Sequence, residues 1–144
     1  TGATASTERR LINISSRAQV GSGENALVAG FVVSGTQPKR LLIRGVGPSL
    51  TQFGVPGALS DPQLQLFDQS GAILATNDDW STGANLDMFF MIRAAQGAAG
   101  AFMLPVQSKD AVLLLSLAPG SYTAQVTDVG SAGGVALVEV YEVP

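Results

Sequence analysis

Residues 61–80 read DPQLQLFDQSGAILATNDDW, and this stretch decides the fold class. Leu64 and Leu66 alternate with glutamines, which is typical of a strand with one buried face. Turn residues follow at 68–71, and a second short strand comes after them. We therefore predict a β-hairpin that runs into an acidic loop at 77–80.

The rest of the chain repeats this pattern of short strands and turns. Continuous apolar runs at 26–33 and 111–115 predict strands that are central in a sheet or covered on both faces. Alternation at 122–127 predicts a strand with one solvated face. Together these segments predict an all-β fold, an antiparallel β-sandwich of jelly-roll type with about eight strands. The predicted strands are 9–15, 25–34, 40–46, 63–67, 73–77, 111–117, 122–127 and 135–143.

One segment, 85–96, has helical rather than strand periodicity. Its apolar residues recur at intervals of three and four, Asn85 suits an N-cap, and Asp87 suits the first turn. Gly97 is the predicted stop. We expect one short helix that crosses an opening of the sheets.

The length of 144 residues predicts a single domain, since folding at this size buries about two thirds of the surface of the unfolded chain. Residues 1–8 are mostly small and polar, which is typical of a flexible lead-in or linker. We therefore expect one β-sandwich domain over 9–144.

The composition argues against catalysis. The chain has no histidine and no cysteine, which removes the commonest general base, the thiolate nucleophile and the thiolate zinc sites. Asp78 and Asp79 are adjacent and would point in opposite directions in an extended chain, unlike the facing carboxylates of a glycosidase. We predict that the protein is not an enzyme.

Charge and hydropathy limit the partners. The net charge is −3 and the arginines are scattered, so no basic stripe favours nucleic-acid binding. No apolar run approaches the 18 or so residues that span a bilayer, so membrane insertion is not expected. Only 13% of residues are charged, against a usual value of about 25%.

The hairpin also carries a family resemblance. Residues 64–68 (LQLFD), 77–79 (NDD) and 118–126 (APGSYTAQV) resemble the bacterial pre-peptidase C-terminal domains. A longer pattern, including 10–15 (RLINIS) and 138–142 (VEVYE), is similar to uncharacterised modules near the ends of large extracellular bacterial proteins. The resemblance implies a non-catalytic β-sandwich, appended to a secreted or cell-surface bacterial protein and therefore extracellular.

The acidic side chains around the hairpin suggest a metal site. Calcium takes 6 to 8 oxygen ligands from carboxylates, amides and carbonyls. Bound Ca²⁺ is the cofactor that this set predicts, although the same residues also suit turns and a solvated loop. The candidate ligands are Asp61, Asp68, Asn77, Asp78 and Asp79.

Two further side chains near this loop are open to interpretation. Trp80, the only tryptophan, could stack on a sugar ring in a carbohydrate-binding module, or it could close one end of the sandwich core. Arg44 interrupts an apolar strand, so we expect it to pair with a carboxylate such as Asp61 or Asp79, since an unpaired inward charge is very costly.

The low charge also suggests a contact surface, because sandwiches usually protect their edge strands with lysine, proline or bulges. Phe89, Phe90 and Met91 on the predicted helix are the candidate interface residues. We predict an extracellular structural or interaction module that mediates assembly or attachment. Its expected partners are other copies of itself or neighbouring domains. Polysaccharide is the partner in the alternative, a carbohydrate-binding module appended to a secreted enzyme.

Overall fold

The computed structural model describes residues 13–21, 25–82, 84–130 and 132–144. These residues contain eight strands, one α-helix and one 3-10 helix. The helix, α1, spans Leu86–Ala99, and the 3-10 helix spans Pro48–Phe53. The strands are β1 (Asn13–Val20), β2 (Leu27–Val33), β3 (Lys39–Val46), β4 (Pro62–Phe67), β5 (Ile73–Asn77), β6 (Ala111–Leu117), β7 (Gly120–Asp128) and β8 (Gly134–Glu142).

The strands form two four-stranded antiparallel sheets. Sheet A has the order β1-β8-β3-β6, and sheet B has the order β2-β7-β4-β5. Strands that follow each other in the chain mostly lie in opposite sheets, which is the double Greek-key arrangement of a jelly roll. The predicted fold class is therefore confirmed. The predicted hairpin is also present, because β4 and β5 pair with each other with a register shift between Leu66 and Phe67.

The main core lies between the two sheets and follows from the period of two along each strand. In β2 the inward residues Leu27, Ala29, Phe31 and Val33 are buried, while the residues between them are exposed. The same alternation buries Leu64 and Leu66 of β4 and leaves the glutamines on the outside.

A second core lies on the outer face of sheet A. Strand β3 is buried on both faces, with Leu41 and Ile43 in the main core and Leu42 and Val46 in the second one. The 3-10 helix, α1 and the chain from Ala101 to Asp110 cover this face; we call them the cover layer. Helix residues Ile92 and Ala95 and loop residue Leu104 bury their side chains against the sheet.

Helix α1 has the predicted start but a later end. The Asn85 side chain accepts a hydrogen bond from the Met88 amide at 2.8 Å, as an N-cap does. The helix continues through Gly97 and ends at Ala99, and the C-cap residue Gly100 has a φ of 71°, the left-handed conformation that favours glycine. The predicted stop at Gly97 was wrong because the following alanines favour helix.

The first strand also differs from the prediction of 9–15. Strand β1 (Asn13–Val20) runs five residues past the predicted end, because the segment pairs with β8 from Asn13↔Tyr141 to Val20↔Gly134. Residues 9–12, and the predicted lead-in 1–8, lie outside the described residues. The 3-10 helix was not predicted. No helix in the described part of the chain has the length and apolar character to cross a bilayer.

Candidate functional site

Three of the acidic residues meet at one corner of sheet B. Asp61 immediately precedes β4, and Asp78 and Asp79 immediately follow β5, so the hairpin brings them to the same end. Burial raises the pKa of Asp61 above its ordinary value, the Asp79 carboxylate raises it further, and Lys109 opposes the change. Lys109 Nζ lies 4.0 Å from Asp61 Oδ2. Asp61 Oδ1 and Asp79 Oδ1 are shielded from solvent and accept no hydrogen bond from the described residues.

The other two predicted metal ligands do not join this corner. Asp68 follows β4, and a six-residue strand separates it from Asp61 by about 20 Å. It forms the hairpin turn, where hydrogen bonds from the Ser70 side chain and the Ala72 amide lower its pKa. Asn77 Oδ1 accepts the Val112 amide of β6 at 3.0 Å. The five-ligand site was therefore wrong, and residues 13–21, 25–82, 84–130 and 132–144 hold no cluster of three acidic side chains suited to a metal.

Trp80 is a core residue rather than a sugar platform. Its side chain is 1% exposed, and its ring stacks on Phe89 of α1 with centroids 5.4 Å apart. The indole Nε1 donates to the Pro105 carbonyl at 2.9 Å. The prediction of a ligand-binding Trp80 was wrong because no face of the ring is open to a sugar, whereas the alternative of a core role agrees with the structure.

Arg44 is buried, but its partner is not one of the expected aspartates. Nε donates to Glu139 Oε1 at 2.8 Å, and Nη2 lies 2.6 Å from the same oxygen. Residues 44 and 139 are directly opposite each other on β3 and β8. The expectation of Asp61 or Asp79 was wrong because those residues flank β4 and β5 of sheet B, while the Arg44 side chain lies on the outer face of sheet A.

This ion pair also holds the cover layer. Arg44 Nη1 donates to Gln96 Oε1 of α1 at 2.9 Å and to the Phe102 carbonyl at 2.6 Å. The guanidinium lies 4.3 Å from the centre of the Phe102 ring. The Tyr141 hydroxyl donates to Glu139 Oε2 at 2.5 Å, and burial together with this carboxylate raises the pKa of Tyr141 to about 12. The ion pair between Arg44 and Glu139 thus joins β3 and β8 to helix α1 and to the loop at Phe102.

Asp110 is a second buried polar residue that sequence reasoning missed. Its Oδ1 accepts the amides of Gly47 and Ser49 at 2.8 and 3.3 Å, and its Oδ2 accepts the hydroxyls of Ser49 and Ser108. These bonds attach the start of the 3-10 helix to the start of β6. The Gly-Pro-Ser sequence at 47–49, read together with a distant aspartate, is the only signal that could have suggested this contact.

The predicted interface residues divide between core and surface. Phe89 is half-buried against Trp80, so it belongs to the fold. Phe90 and Met91 are 57% and 44% exposed, and Leu86 lies one turn before Phe90 on the open side of the helix. The helix therefore presents a small apolar patch, whose partner stays a prediction.

The outer face of sheet B is a surface that sequence reasoning did not single out. Its side chains carry no charge, and cross-strand rows run from Val28 through Gln125 and Gln65 to Thr76. We call this surface the open face, since no described helix covers it. Its residues are Val28, Gly30, Val32, Gln63, Gln65, Phe67, Leu74, Thr76, Ser121, Thr123, Gln125 and Thr127.

Solved structures of other proteins include a fold similar to this one. No family model matches the chain, and no curated protein matches it. Among solved structures, the pre-peptidase C-terminal domain of a collagenase from Bacillus anthracis is similar, with a TM-score of 0.52 over 90% of this chain and 89% of that chain. The two sequences are 14% identical, so the likeness concerns the fold. The chain has the fold of the domains that its hairpin and acidic loop resemble.

Proposed function

We propose that this protein is a non-catalytic extracellular module of a secreted or cell-surface bacterial protein, and that it acts by contact in assembly or attachment. The open face of sheet B is the observation that carries this proposal. Four strands present hydroxyls, amides and a few apolar side chains there without one charged residue. The likeness to a pre-peptidase C-terminal domain supports an appended module rather than an enzyme.

The distribution of polar groups supports the same view. The buried Arg44, Glu139 and Asp110 make hydrogen bonds to partners within the fold and attach the cover layer. Arg44 and Asp110 are 0% exposed and Glu139 is 6% exposed, so these groups are not open to a substrate. Uncharged surface with exposed apolar side chains is instead typical of association.

Two measurements on the isolated protein test this function. Light scattering over a wide concentration range tests self-association, and co-sedimentation with bacterial cell envelopes tests attachment. We expect a mass that increases with concentration or a saturable bound fraction. A protein that stays monomeric at millimolar concentration and does not sediment with envelopes would overturn the proposal.

Polysaccharide binding is a second candidate, moved from Trp80 to the open face. Gln65 and Gln125 are paired neighbours there, and amide side chains can both donate to and accept from sugar hydroxyls. The experiment is retention on insoluble polysaccharides with Q65A/Q125A, with Q52A in the exposed 3-10 helix as the matched control. Equal retention of both variants would exclude this face as a glycan site.

Calcium is retained as a proposal for the acidic corner only, where Asp61 and Asp79 would be the protein ligands and Asp78 would add negative charge nearby. The two shielded oxygens without hydrogen bonds fit the ligand chemistry of a hard cation, which would need further oxygens from water or backbone. We expect Ca²⁺ to raise the melting temperature, and D79A to abolish that shift while D68A retains it. An identical melting curve in calcium and in chelator would exclude the ion.

A further inference from the structure

We propose that two copies of this chain pair through the free edge of β2, antiparallel and centred on Gly30, so that sheet B continues across the dimer as eight strands. The inference rests on the proposed contact function and names its partner, a second copy. The four edge strands of the sandwich differ in how their unpaired backbone groups are protected. An unprotected edge is a template for another strand.

One side of the sandwich, formed by β5 and β6, is closed by its own chain. Strand β5 is short and has the register shift near Phe67. The Asn77 side chain caps the Val112 amide of β6, and the Trp80 amide donates to the Asp110 carbonyl at 2.9 Å. The segment from Asn77 to Trp80 therefore occupies the first edge groups of β6. A second chain could therefore not extend β6 along its full length.

The opposite side, formed by β1 and β2, has no such closure among the described residues. Strand β1 carries Arg17, a charge that discourages strand addition. Strand β2 reads LVAGFVV and has no charge, no proline and an unbroken register with β7 from Leu27 to Val33. Val28 and Val32 are 53% and 60% exposed on the open face. Of the four edges, β2 is the one that has no charge, no register shift and no capping contact from another described segment.

The sequence of β2 is suited to pairing with itself. In an antiparallel pair centred on Gly30, Val28 lies opposite Val32 of the second copy, and Val32 lies opposite its Val28. Side chains directly opposite each other share a face, so both valine pairs would pack on the open face. The register also places Ala29 beside the larger Phe31 of the second copy on the inner face. A twofold axis at Gly30 thus pairs β-branched with β-branched and small with large side chains.

Gly30 supports a close approach at that axis. No described residue of the monomer requires glycine there, because its φ is not positive and an added Cβ would meet only the Tyr122 carbonyl oxygen at 4.0 Å. Glycine inside a strand weakens it and often marks the close approach of another backbone. A second β2 strand that passes close to Gly30 would account for glycine at this position.

The first experiment uses a matched pair of charge variants measured by sedimentation. V28K/V32K would place like charges opposite each other twice in the dimer, whereas V28E/V32K would place opposite charges there. Both variants change the same exposed positions, which lie about 13 Å apart within one strand, so the monomers should melt at similar temperatures. We expect V28K/V32K to weaken the dimer at least about tenfold and V28E/V32K to restore it.

The second experiment tests the register by crosslinking, because the chain has no cysteine of its own. Thiols introduced by V28C/V32C are too far apart to bridge within one strand, since a disulfide needs Cα atoms within about 7 Å. They would face each other only across the proposed axis. Mild oxidation should give a covalent dimer of V28C/V32C and far less of V28C or V32C alone.

The outcomes separate this inference from the proposed function. Self-association that is equally strong in V28K/V32K and V28E/V32K would overturn the β2 pairing and leave the contact function standing. Capture of a strand from another protein, with no self-association, would also overturn the inference. A protein that neither self-associates nor attaches would remove both proposals. Selective loss in V28K/V32K with recovery in V28E/V32K would establish the pairing.

Discussion

The outer face of sheet A is covered, whereas the outer face of sheet B is open. Sheet A is covered by the helix, the 3-10 helix and a long loop, and a buried ion pair and a buried aspartate attach that cover. Sheet B has Thr and Gln side chains with a few apolar ones, and it faces outward as an open surface. The same strand pattern thus gives two kinds of surface within one jelly roll.

The difference teaches where the polar side chains of a weakly charged domain act. On the covered face each polar side chain makes hydrogen bonds to specific partners. A buried polar group is out of contact with water and needs such partners within the protein. On the open face the alternation of strands alone decides which side chains point outward, and no residue there is held by a specific partner. Substitutions should therefore have large effects on one face and small effects on the other.

The largest effect is expected from E139A on the covered face. Removal of one partner of a buried ion pair leaves an uncompensated charge and destabilises a protein by about 3–5 kcal/mol. Q65A on the open face should change the free energy of unfolding by less than about 0.5 kcal/mol. Urea unfolding measures both variants.

The double variant R44M/E139L is the control for this prediction. It removes both charges, and replacement of a buried pair by apolar residues is often neutral. We expect it to be more stable than E139A. A double variant as unstable as E139A would show that packing, rather than the unpaired charge, explains the loss.

The next effect concerns two glycines, G47A and G97A. A Cβ at Gly47 would lie 2.3 Å from the Leu59 carbonyl oxygen, so G47A should destabilise the protein by about 1–3 kcal/mol or more through overpacking. A Cβ at Gly97 would meet nothing within 4 Å, and alanine is favoured in a helix by up to about 1 kcal/mol. Melting temperatures should therefore shift in opposite directions.

A smaller, pH-dependent effect is expected from Y141F. The pKa of Tyr141 is raised from 10.0 to about 12 in the folded protein. Its contribution to stability is therefore complete below pH 10 and is lost as the pH rises from 10 to 12. Unfolding midpoints between pH 9 and 12 should fall less steeply in Y141F than in Y122F, which retains Tyr141. Parallel slopes would contradict the assignment.

The smallest effect is expected from D61N at the acidic corner. The pKa of Asp61 is raised by burial, so the protonated form is favoured by folding and ionised Asp61 destabilises the protein at neutral pH. D61N should raise the melting temperature slightly at pH 7, with a gain of less than about 0.5 kcal/mol. The gain should vanish below pH 3.8, and a gain that persists there would have another cause.

Much of the fold was predictable because strands and turns are local. The alternation at Leu64 and Leu66 and the apolar run at 111–115 correspond to β4 and β6, and Asn85 caps the helix as predicted. These signals depend on neighbours within a few residues, so a single sequence carries them.

The candidate site was less predictable because its contacts are distant in sequence. The partner of Arg44 is 95 residues away, and its identity depends on the register of β3 and β8. Asp110 meets Gly47, 63 residues away, only when β3 and β6 pair within sheet A. The acidic loop suggested a single ligand cluster, but the length of β4 keeps Asp68 apart from Asp61.

The place of β8 in sheet A has a consequence for the order of folding. Strand β8 lies between β1 and β3, so these two have no shared neighbour until residues 134–142 are present. Glu139 arrives with that strand, and until then Arg44 lacks its carboxylate. A nascent chain can therefore complete sheet A only after residues 134–142 have left the ribosome.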